Sequence, residues 1–313
     1  MKSYKVGLLF IFGLLLIQSC AVSKYSNKKS HENVAMKIDE NAEAINYALF
    51  EQQNIPTLAS RGDKSRGFVL LNKAMPYITK GVIKFINTEK KKYVASYNQK
   101  MVDLYFYDQL STESAFDPIG MQFTGFKLIR TIQDRSGNTD TAIYASFILD
   151  TSNPYEIINN SFFRLKVQDL RINYAKAKVA SKKWYIPSFF LKNPDKLNMD
   201  IEITIRSSWV TPDAVYNNNV EIGKFYLTLR DVPMNKNSPE YKNYFEQIKG
   251  SALIGKCSLV PRSYGYYYYA LNVLKKCYGQ GIYSITADVK ESGSMNFVLK
   301  TIGEQSTITV PRK

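Results

Sequence analysis

The chain of 313 residues has 42 Lys and Arg against 27 Asp and Glu, a formal net charge of +15, with one histidine and three cysteines. The single histidine, His31, excludes Ser-His-Asp and Cys-His catalysis and histidine-rich metal sites. The surplus of positive charge favours anionic partners, such as lipid headgroups, acidic glycans or an acidic protein surface. We expect a non-enzymatic protein without metal or cofactor; a hydrolase that uses two carboxylates or a Ser-Lys pair is the alternative.

The first nineteen residues have the three parts of a secretory signal. Lys2 and Lys5 form a basic start, and residues 6–17 form an uncharged apolar run. As a helix this run spans about 18 Å, short of the roughly 30 Å hydrocarbon core of a bilayer, so residues 1–19 predict a cleaved signal peptide. Cleavage leaves 294 residues with a net charge of +13, since Lys2 and Lys5 are removed.

The end of this signal resembles the lipobox of Gram-negative bacterial lipoproteins, carried by Ile17, Ser19 and Cys20. The resemblance implies acylation of Cys20, with palmitate among the chains, and a lipid anchor that needs no spanning helix. An ordinary signal peptide with a chance cysteine is the alternative. Ala21 and Val22 lack the aspartate that often retains such lipoproteins in the inner membrane. The resemblance therefore implies an outer-membrane protein, facing the periplasm or the cell surface, for which nucleic acid is not an expected partner.

Two segments precede the part of the chain with β periodicity. Residues 20–33 are polar and lack apolar periodicity, which predicts a flexible tether. Residues 34–118 predict a helical region, because apolar side chains recur there at spacings of three and four. These side chains are Ile38, Ala42, Ile45 and Leu49 in a first helix and Ile78, Val82, Phe85, Ile86, Tyr93, Tyr97, Met101 and Leu104 in a longer helix from Pro76 to about Tyr107.

In residues 119–313 the period changes from 3.6 to 2, which is typical of strands with one dry face. Ser238-Pro239-Glu240 is a helix-start signal and predicts a short helix near 239–249. Together the segments predict an α+β, mainly β protein, in which an antiparallel sandwich-like region follows the N-terminal helical region. The predicted strands are 122–132, 141–150, 163–174 with an interruption near Asp169, 197–206, 225–229, 253–260, 264–270, 282–290, 295–302 and 306–310.

One stretch within this region has a local likeness to a known family. Residues 147–155 (FILDTSNPY), followed by the strand at 163–174, resemble the strand, Asn-Pro-aromatic and strand opening of immunoglobulin-like late-embryogenesis-abundant and water-stress domains. The likeness covers about thirty residues. It implies a sandwich and nothing about function.

Two cysteines remain once Cys20 is acylated. Cys257 and Cys277 lie in a compartment that permits disulfides, and closing the loop between them would contribute roughly 3 kcal/mol. A Cys257–Cys277 disulfide is the prediction, and two independent buried thiols are the alternative.

A row of tyrosines lies between the two cysteines, at Tyr264, Tyr266, Tyr267, Tyr268 and Tyr269. In a strand their rings would divide between two faces, and exposed tyrosine rows stack on sugars and anchor protein interfaces. These residues are the candidate binding surface. The alternative is that one face packs in the core while the other covers a sheet edge.

The features combine into two functional hypotheses. The first is a lipid-anchored cell-envelope protein that acts as a binding or scaffold component of an envelope assembly, with the membrane and a protein as partners. The alternative is a glycan- or ligand-binding lipoprotein of an uptake system, which predicts a flat or concave platform of exposed aromatic side chains.

Overall fold

The computed structural model of the protein describes residues 25–26, 31–39, 91–104, 106, 123–133, 136–152, 157, 162–179, 195–211, 215–259, 263–270, 273–279 and 281–293. This part of the chain is mainly β, as predicted. Its strands are β1 (Glu32–Ile38), β2 (Val94–Leu104), β3 (Gly125–Gln133), β4 (Thr139–Leu149), β5 (Phe162–Phe163), β6 (Leu165–Ile172), β7 (Lys196–Val210), β8 (Tyr216–Pro233), β9 (Ile254–Ser258), β10 (Ser263–Ala270), β11 (Val273–Gly279) and β12 (Ile282–Gly293). The helix α1 (Pro239–Ile248) lies between β8 and β9.

A four-stranded antiparallel sheet has the order β1-β3-β4-β6. Its dry face is made by alternate residues, so the predicted alternation in β3 and β4 is confirmed. The predicted interruption near Asp169 is also confirmed, because the β4–β6 register shifts between Val167 and Asp169. The buried residues on the dry face include Phe126, Leu128, Arg130, Ile143, Ala145, Phe147 and Leu149.

A six-stranded antiparallel sheet has the order β2-β12-β7-β8-β9-β5. The predicted inward faces of β7 and β8 are confirmed. Every side chain predicted to face inward is buried: Leu197, Met199, Ile201, Ile203, Ile205, Phe225, Leu227 and Leu229. Both sheets contribute to one hydrophobic core. The Phe106 ring stacks between Phe123, at 4.2 Å between centroids, and Tyr283, at 3.9 Å.

The helix α1 begins where the sequence predicts. Ser238 is its N-cap, and the Ser238 hydroxyl accepts a hydrogen bond from the Tyr241 N–H. The chain after α1 continues along the edge of β6, where the Gly250 N–H donates to the Val167 carbonyl and the Leu253 N–H donates to the Leu165 carbonyl. This connection joins the edge of the four-stranded sheet to β9 of the other sheet.

The predicted helical region is wrong at both of its described ends. Residues 34–38 belong to β1, and residues 94–104 form β2 with alternating outer and inner positions. The spacing of four between Tyr93, Tyr97 and Met101 suits a helix face, but it is also an even number that keeps side chains on one face of a strand. Pairing with β12 decides in favour of the strand. The other parts of the predicted helices, in 40–90, lie outside the described residues.

The predicted tether over 20–33 is also wrong where it is described. Tyr25 is buried, and its carbonyl accepts a hydrogen bond of 2.8 Å from the Ala175 N–H. Ser26 forms a parallel bridge with Ala175, and β1 already begins at Glu32. Polar composition misled the prediction, because these contacts are made by the backbone and by one aromatic ring. Tyr25 is therefore already part of the fold.

Candidate functional site

A groove of about 790 Å³ lies between α1 and the outer face of the four-stranded sheet. Its volume falls within the range of about 300–1,000 Å³ that is usual for sites of small ligands. Strands β3, β4 and β6 supply one wall, α1 supplies the other, and Asp39 follows directly after β1. The lining residues are Asp39, Lys127, Tyr144, Gln168, Asp169, Leu170, Arg171, Tyr241, Lys242, Phe245, Glu246 and Lys249.

The strand register places the sheet side of the groove in two rows. Lys127 of β3 pairs with Ser146 of β4, which pairs in turn with Asp169 of β6. In the adjacent row Tyr144 of β4 pairs with Arg171 of β6. Polar groups from three strands thus lie side by side, because residues two apart on a strand share a face.

Asp39 is the most buried charged group of the groove, with 2% of its surface exposed. Lys127 Nζ lies 2.7 Å from Asp39 Oδ1, and the Ser146 hydroxyl donates to Asp39 Oδ2 at 3.1 Å. Ser146 Oγ is also 2.7 Å from Gln168 Oε1. A buried carboxylate requires such partners, and they hold one end of the groove in a single arrangement.

Half-buried aromatic rings line the middle of the groove. The Arg171 guanidinium lies 6.0 Å from the centre of the Tyr144 ring, and Arg171 also forms an ion pair of 2.7 Å with Asp169. On the helix side the rings of Tyr241 and Phe245 are 4.6 Å apart. Burial raises the pKa of the Tyr241 phenol, which donates a hydrogen bond of 3.3 Å to the Ile172 carbonyl. The groove therefore combines ring faces with charges of both signs.

A second polar cluster is buried between the sheets. Arg130 and Glu291 are both inaccessible to solvent, and Arg130 Nη1 lies 3.4 Å from Glu291 Oε1. Glu291 Oε2 accepts hydrogen bonds from the N–H groups of Lys176, at 2.6 Å, and Ala177, at 2.8 Å. Arg130 Nε lies 3.2 Å from Glu32 Oε2. The cluster ties β1, β3 and β12 to the segment after β6.

The surroundings shift the pKa values of this cluster in opposite directions. Burial raises the pKa of Glu291 and, together with the nearby Glu291 charge, raises the pKa of Tyr97 well above its ordinary value. Burial also acts to raise the pKa of Glu32, but Lys176 and Arg130 together lower it below its ordinary value. Among the described residues the Tyr97 hydroxyl and Arg130 Nη2 are buried without a well-formed hydrogen bond. The cluster is enclosed in the core, so we interpret it as structural.

A third feature is the end of the β7–β8 hairpin, at residues 209–211 and 215–220, which we call the arm. Pairing of β12 with β7 ends at Ser208, and pairing of β9 with β8 begins at Gly223. The arm therefore extends beyond β12 and β9, and β10 of the two-stranded sheet also contacts β7. Its side chains include the exposed Val215, Tyr216 and Val220.

The structure places the predicted tyrosine surface on β10, which pairs with β11 in a separate two-stranded sheet. The strand predicted over 264–270 is confirmed. The side chains of Tyr264, Tyr266, Tyr267, Tyr268 and Tyr269 lie outside the described part of the structure, as does Cys20. Neither the candidate surface nor the lipid site is joined to the groove by any described contact.

The predicted Cys257–Cys277 disulfide is not formed, because Cys257 is a free, buried cysteine. Cys257 lies on β9 between β8 and β5 and faces the core, whereas Cys277 lies on β11 in the other, two-stranded sheet. Burial raises the pKa of the Cys257 thiol. The sulfur therefore belongs to the core.

Comparison with known proteins adds no assignment. No protein-family model, no curated protein and no solved structure matches the chain. None of the described helices is long and apolar enough to cross a membrane. Within the described residues, no group of three or more His, Cys, Asp or Glu side chains is arranged to hold a metal ion.

The sequence interpretation missed both the groove and the buried cluster. The cluster has a signal in the sequence, since Arg130 continues the inward row of Phe126 and Leu128 in β3. Glu291 likewise continues the inward row of β12 after Val289. A charged residue in phase with an apolar stripe indicates a buried ion pair. The groove has no such signal, because its walls come from five separate segments.

Proposed function

We propose that the protein is a non-enzymatic, lipid-anchored binding protein of the cell envelope, and that it binds a glycan in the groove under α1. The observation that carries the proposal is the groove itself, in which the rings of Tyr144, Tyr241 and Phe245 lie beside charged side chains of both signs. The lipid anchor on Cys20 and the outer-membrane location rest on the sequence alone.

A glycan suits this groove because a sugar ring has an apolar face and a polar rim. The apolar face packs on aromatic rings, which offer large contact area at low entropic cost. The hydroxyl rim needs closely spaced donors and acceptors, and the Lys127 and Gln168 side chains supply both kinds, with the buried Asp39 holding Lys127 in place. Lys242 and Lys249 on the helix wall favour acidic sugars over neutral sugars.

The test is binding of the purified protein to an array of neutral and acidic envelope oligosaccharides, followed by calorimetry with the best ligand. Removal of the central ring by Tyr144→Ala should weaken binding about tenfold, the equivalent of roughly 1.4 kcal/mol of lost contact with the ring. Tyr144 is half-buried on an outer sheet face, so the variant should fold.

The matched control is Tyr226→Ala. Tyr226 is also a tyrosine on an outer sheet face, but it lies on β8 of the other sheet, away from the groove. This variant should bind as the parent protein does. Equal loss in both variants, or no binding to any oligosaccharide on the array, would refute the glycan proposal.

The arm favours a second candidate function, a scaffold that docks onto an envelope protein. Exposed Val215, Tyr216 and Val220 on an extended hairpin resemble the aromatic and aliphatic anchors of protein interfaces. Tyr216→Asp should abolish co-purification of a stoichiometric partner from detergent-solubilised membranes, whereas Tyr226→Asp should preserve it. If the protein is recovered alone from its native membranes, the scaffold candidate fails.

The anchor has its own test in cells. The parent protein should incorporate labelled palmitate and fractionate with the outer membrane. Cys20→Ser should stop the incorporation, because the acylated sulfur is absent. Continued labelling of Cys20→Ser would refute the anchor and leave the groove proposal standing.

A further inference from the structure

The burial of Tyr25 limits how far the folded part of the protein can lie from the membrane. Tyr25 is buried and bound by its backbone to Ala175. Only five residue steps separate Tyr25 from Cys20, and at full extension they reach about 18 Å. A tether that ended at residue 33 would reach about 45 Å. With the proposed lipid anchor on Cys20, on which this inference rests, the Tyr25 end of the protein lies close to the bilayer.

Several strands begin or end at the Tyr25 end of the protein. β7 begins there and β12 and β8 end there, because Gly293 of β12 pairs with Leu197 and Lys196 pairs with Pro233. β2 begins there as well, since Val94 pairs with Ser292. Glu32, the first residue of β1, is paired there with Lys176. The Gly293 N–H also donates to the Tyr93 carbonyl just before β2. A single end of the molecule therefore approaches the membrane, rather than a sheet face.

Lysines surround this end, and we call the surface of Lys91, Lys92, Lys176, Lys178 and Lys236 the basic end. The Lys178 N–H donates to the Lys92 carbonyl at 2.9 Å, which joins two of its segments. Lys178 Nζ lies 5.4 Å from the centre of the Tyr93 ring, and Lys236 Nζ lies 4.9 Å from the centre of the Tyr174 ring. These ring contacts extend the lysine side chains across the surface.

Acidic groups at the basic end do not cancel its charge. Glu32 forms an ion pair with Lys176, and Asp195 lies near Tyr25. Glu291 is buried with Arg130, so it does not face the solvent. Lys196 also lies at this end, where it is paired with Glu240, and Asp231 lies beside Asn198. Six lysines against Glu32, Asp195, Asp231 and Glu240 leave an excess of positive charge.

We infer that the basic end rests on the anionic phosphate headgroups of the bilayer that holds the lipid anchor. The charge is complementary, and the tether keeps it within about two Debye lengths, since one Debye length is about 8 Å at physiological ionic strength. The attraction of juxtamembrane lysines to anionic headgroups falls off within about one Debye length, and a tether that reaches at most about 18 Å lets the basic end come that close. The anchor supplies attachment, and the basic end supplies orientation.

This orientation has a consequence for both candidate binding features. β1 carries the chain from Glu32 to Asp39, seven steps of about 3.3 Å, so the Asp39 end of the groove lies roughly 23 Å further from the bilayer. β7 runs from Lys196 to Val210, and the arm is therefore roughly 46 Å from the basic end. The Asp39 end of the groove and the arm therefore lie away from the bilayer, where a soluble ligand or partner reaches them.

The test is lysine footprinting of the lipidated protein, extracted from membranes and reconstituted into vesicles. An amine-acetylating reagent is applied in detergent, in phosphatidylcholine vesicles and in vesicles that also contain phosphatidylglycerol, and acetylation is measured at each lysine by mass spectrometry. Lys91, Lys178 and Lys236 should react several-fold more slowly in the vesicles that contain phosphatidylglycerol than in detergent or in phosphatidylcholine vesicles. Salt at about 1 M, where the Debye length is about 3 Å, should remove the difference.

Lys100 on β2 and Lys256 on β9 are internal controls that should react at one rate in all three settings. Lys178→Gln with Lys236→Gln should abolish the slower reaction of Lys91, and Lys100→Gln with Lys256→Gln should preserve it. Without an acyl mass on the Cys20 peptide, both the anchor and this inference fail. With acylation present, equal reaction of Lys91, Lys178 and Lys236 in all settings overturns the inference alone.

Discussion

Arg130 of β3 and Glu291 of β12 belong to different sheets, and their side chains meet in the core with 3.4 Å between Arg130 Nη1 and Glu291 Oε1. Neither side chain is exposed to solvent. Each charge therefore depends on the other, because water does not stabilise either one. The pair also fixes the relative position of the two sheets, since only one register brings the two groups together.

Removal of the carboxylate should be strongly destabilising. Glu291→Ala leaves the Arg130 charge buried with Glu32 as its remaining acidic partner, and breaking such a buried pair costs about 3–5 kcal/mol. Urea denaturation followed by circular dichroism measures the loss. The control is Glu202→Ala, which breaks the partly exposed Lys224–Glu202 pair and should leave stability unchanged within error. Similar effects of the two changes would contradict the buried pairing.

Glu32 should make stability depend on pH in a defined direction. Its folded-state pKa lies below the ordinary value of 4.5, because Lys176 and Arg130 outweigh burial. The stabilisation is present above pH 4.5 and is lost as the pH falls through the lower, folded-state pKa. The free-energy difference between the parent protein and Glu32→Gln should therefore shrink in acid. A difference that stays constant down to about pH 3 would contradict the assignment.

The Cys257 thiol should be inert in the folded protein. It is buried, and its pKa is raised, so both access and the reactive thiolate are suppressed. Iodoacetamide at about pH 8 should leave the Cys257 peptide unmodified in the native protein and alkylate it fully in denaturant. Mass spectrometry of the digested protein measures both states. Rapid native-state alkylation would show that the Cys257 sulfur is not buried.

Gly255 should be intolerant of any side chain. Its φ is +124°, and an added Cβ would lie 2.0 Å from the Lys224 carbonyl oxygen of the neighbouring strand. Gly255→Ala should cost about 3 kcal/mol or more, through strain and the forced separation of β8 and β9. Gly250→Ala is the matched control, since Gly250 also has a positive φ of +80° but open space around it. That change should cost about 1–2 kcal/mol, from the backbone alone.

The inward rows of β3, β4, β7 and β8 follow from the sequence, because a strand with one dry face must alternate and the alternation is visible in the residues. The Ser238 cap and the start of α1 follow for a similar reason, since capping is a local interaction. Residues 94–104 were not predictable in this way. Their spacing suits both periodicities, and only pairing with β12, far along the chain, selects the strand.

By itself the sequence determined where strands alternate and where α1 begins. Tertiary structure alone decided the rest. It joined Arg130 to Glu291 across 161 residues, brought Asp39, Tyr144 and Phe245 to one groove, and joined Tyr25 to Ala175. These are contacts between distant segments, and local periodicity carries no information about which segments meet.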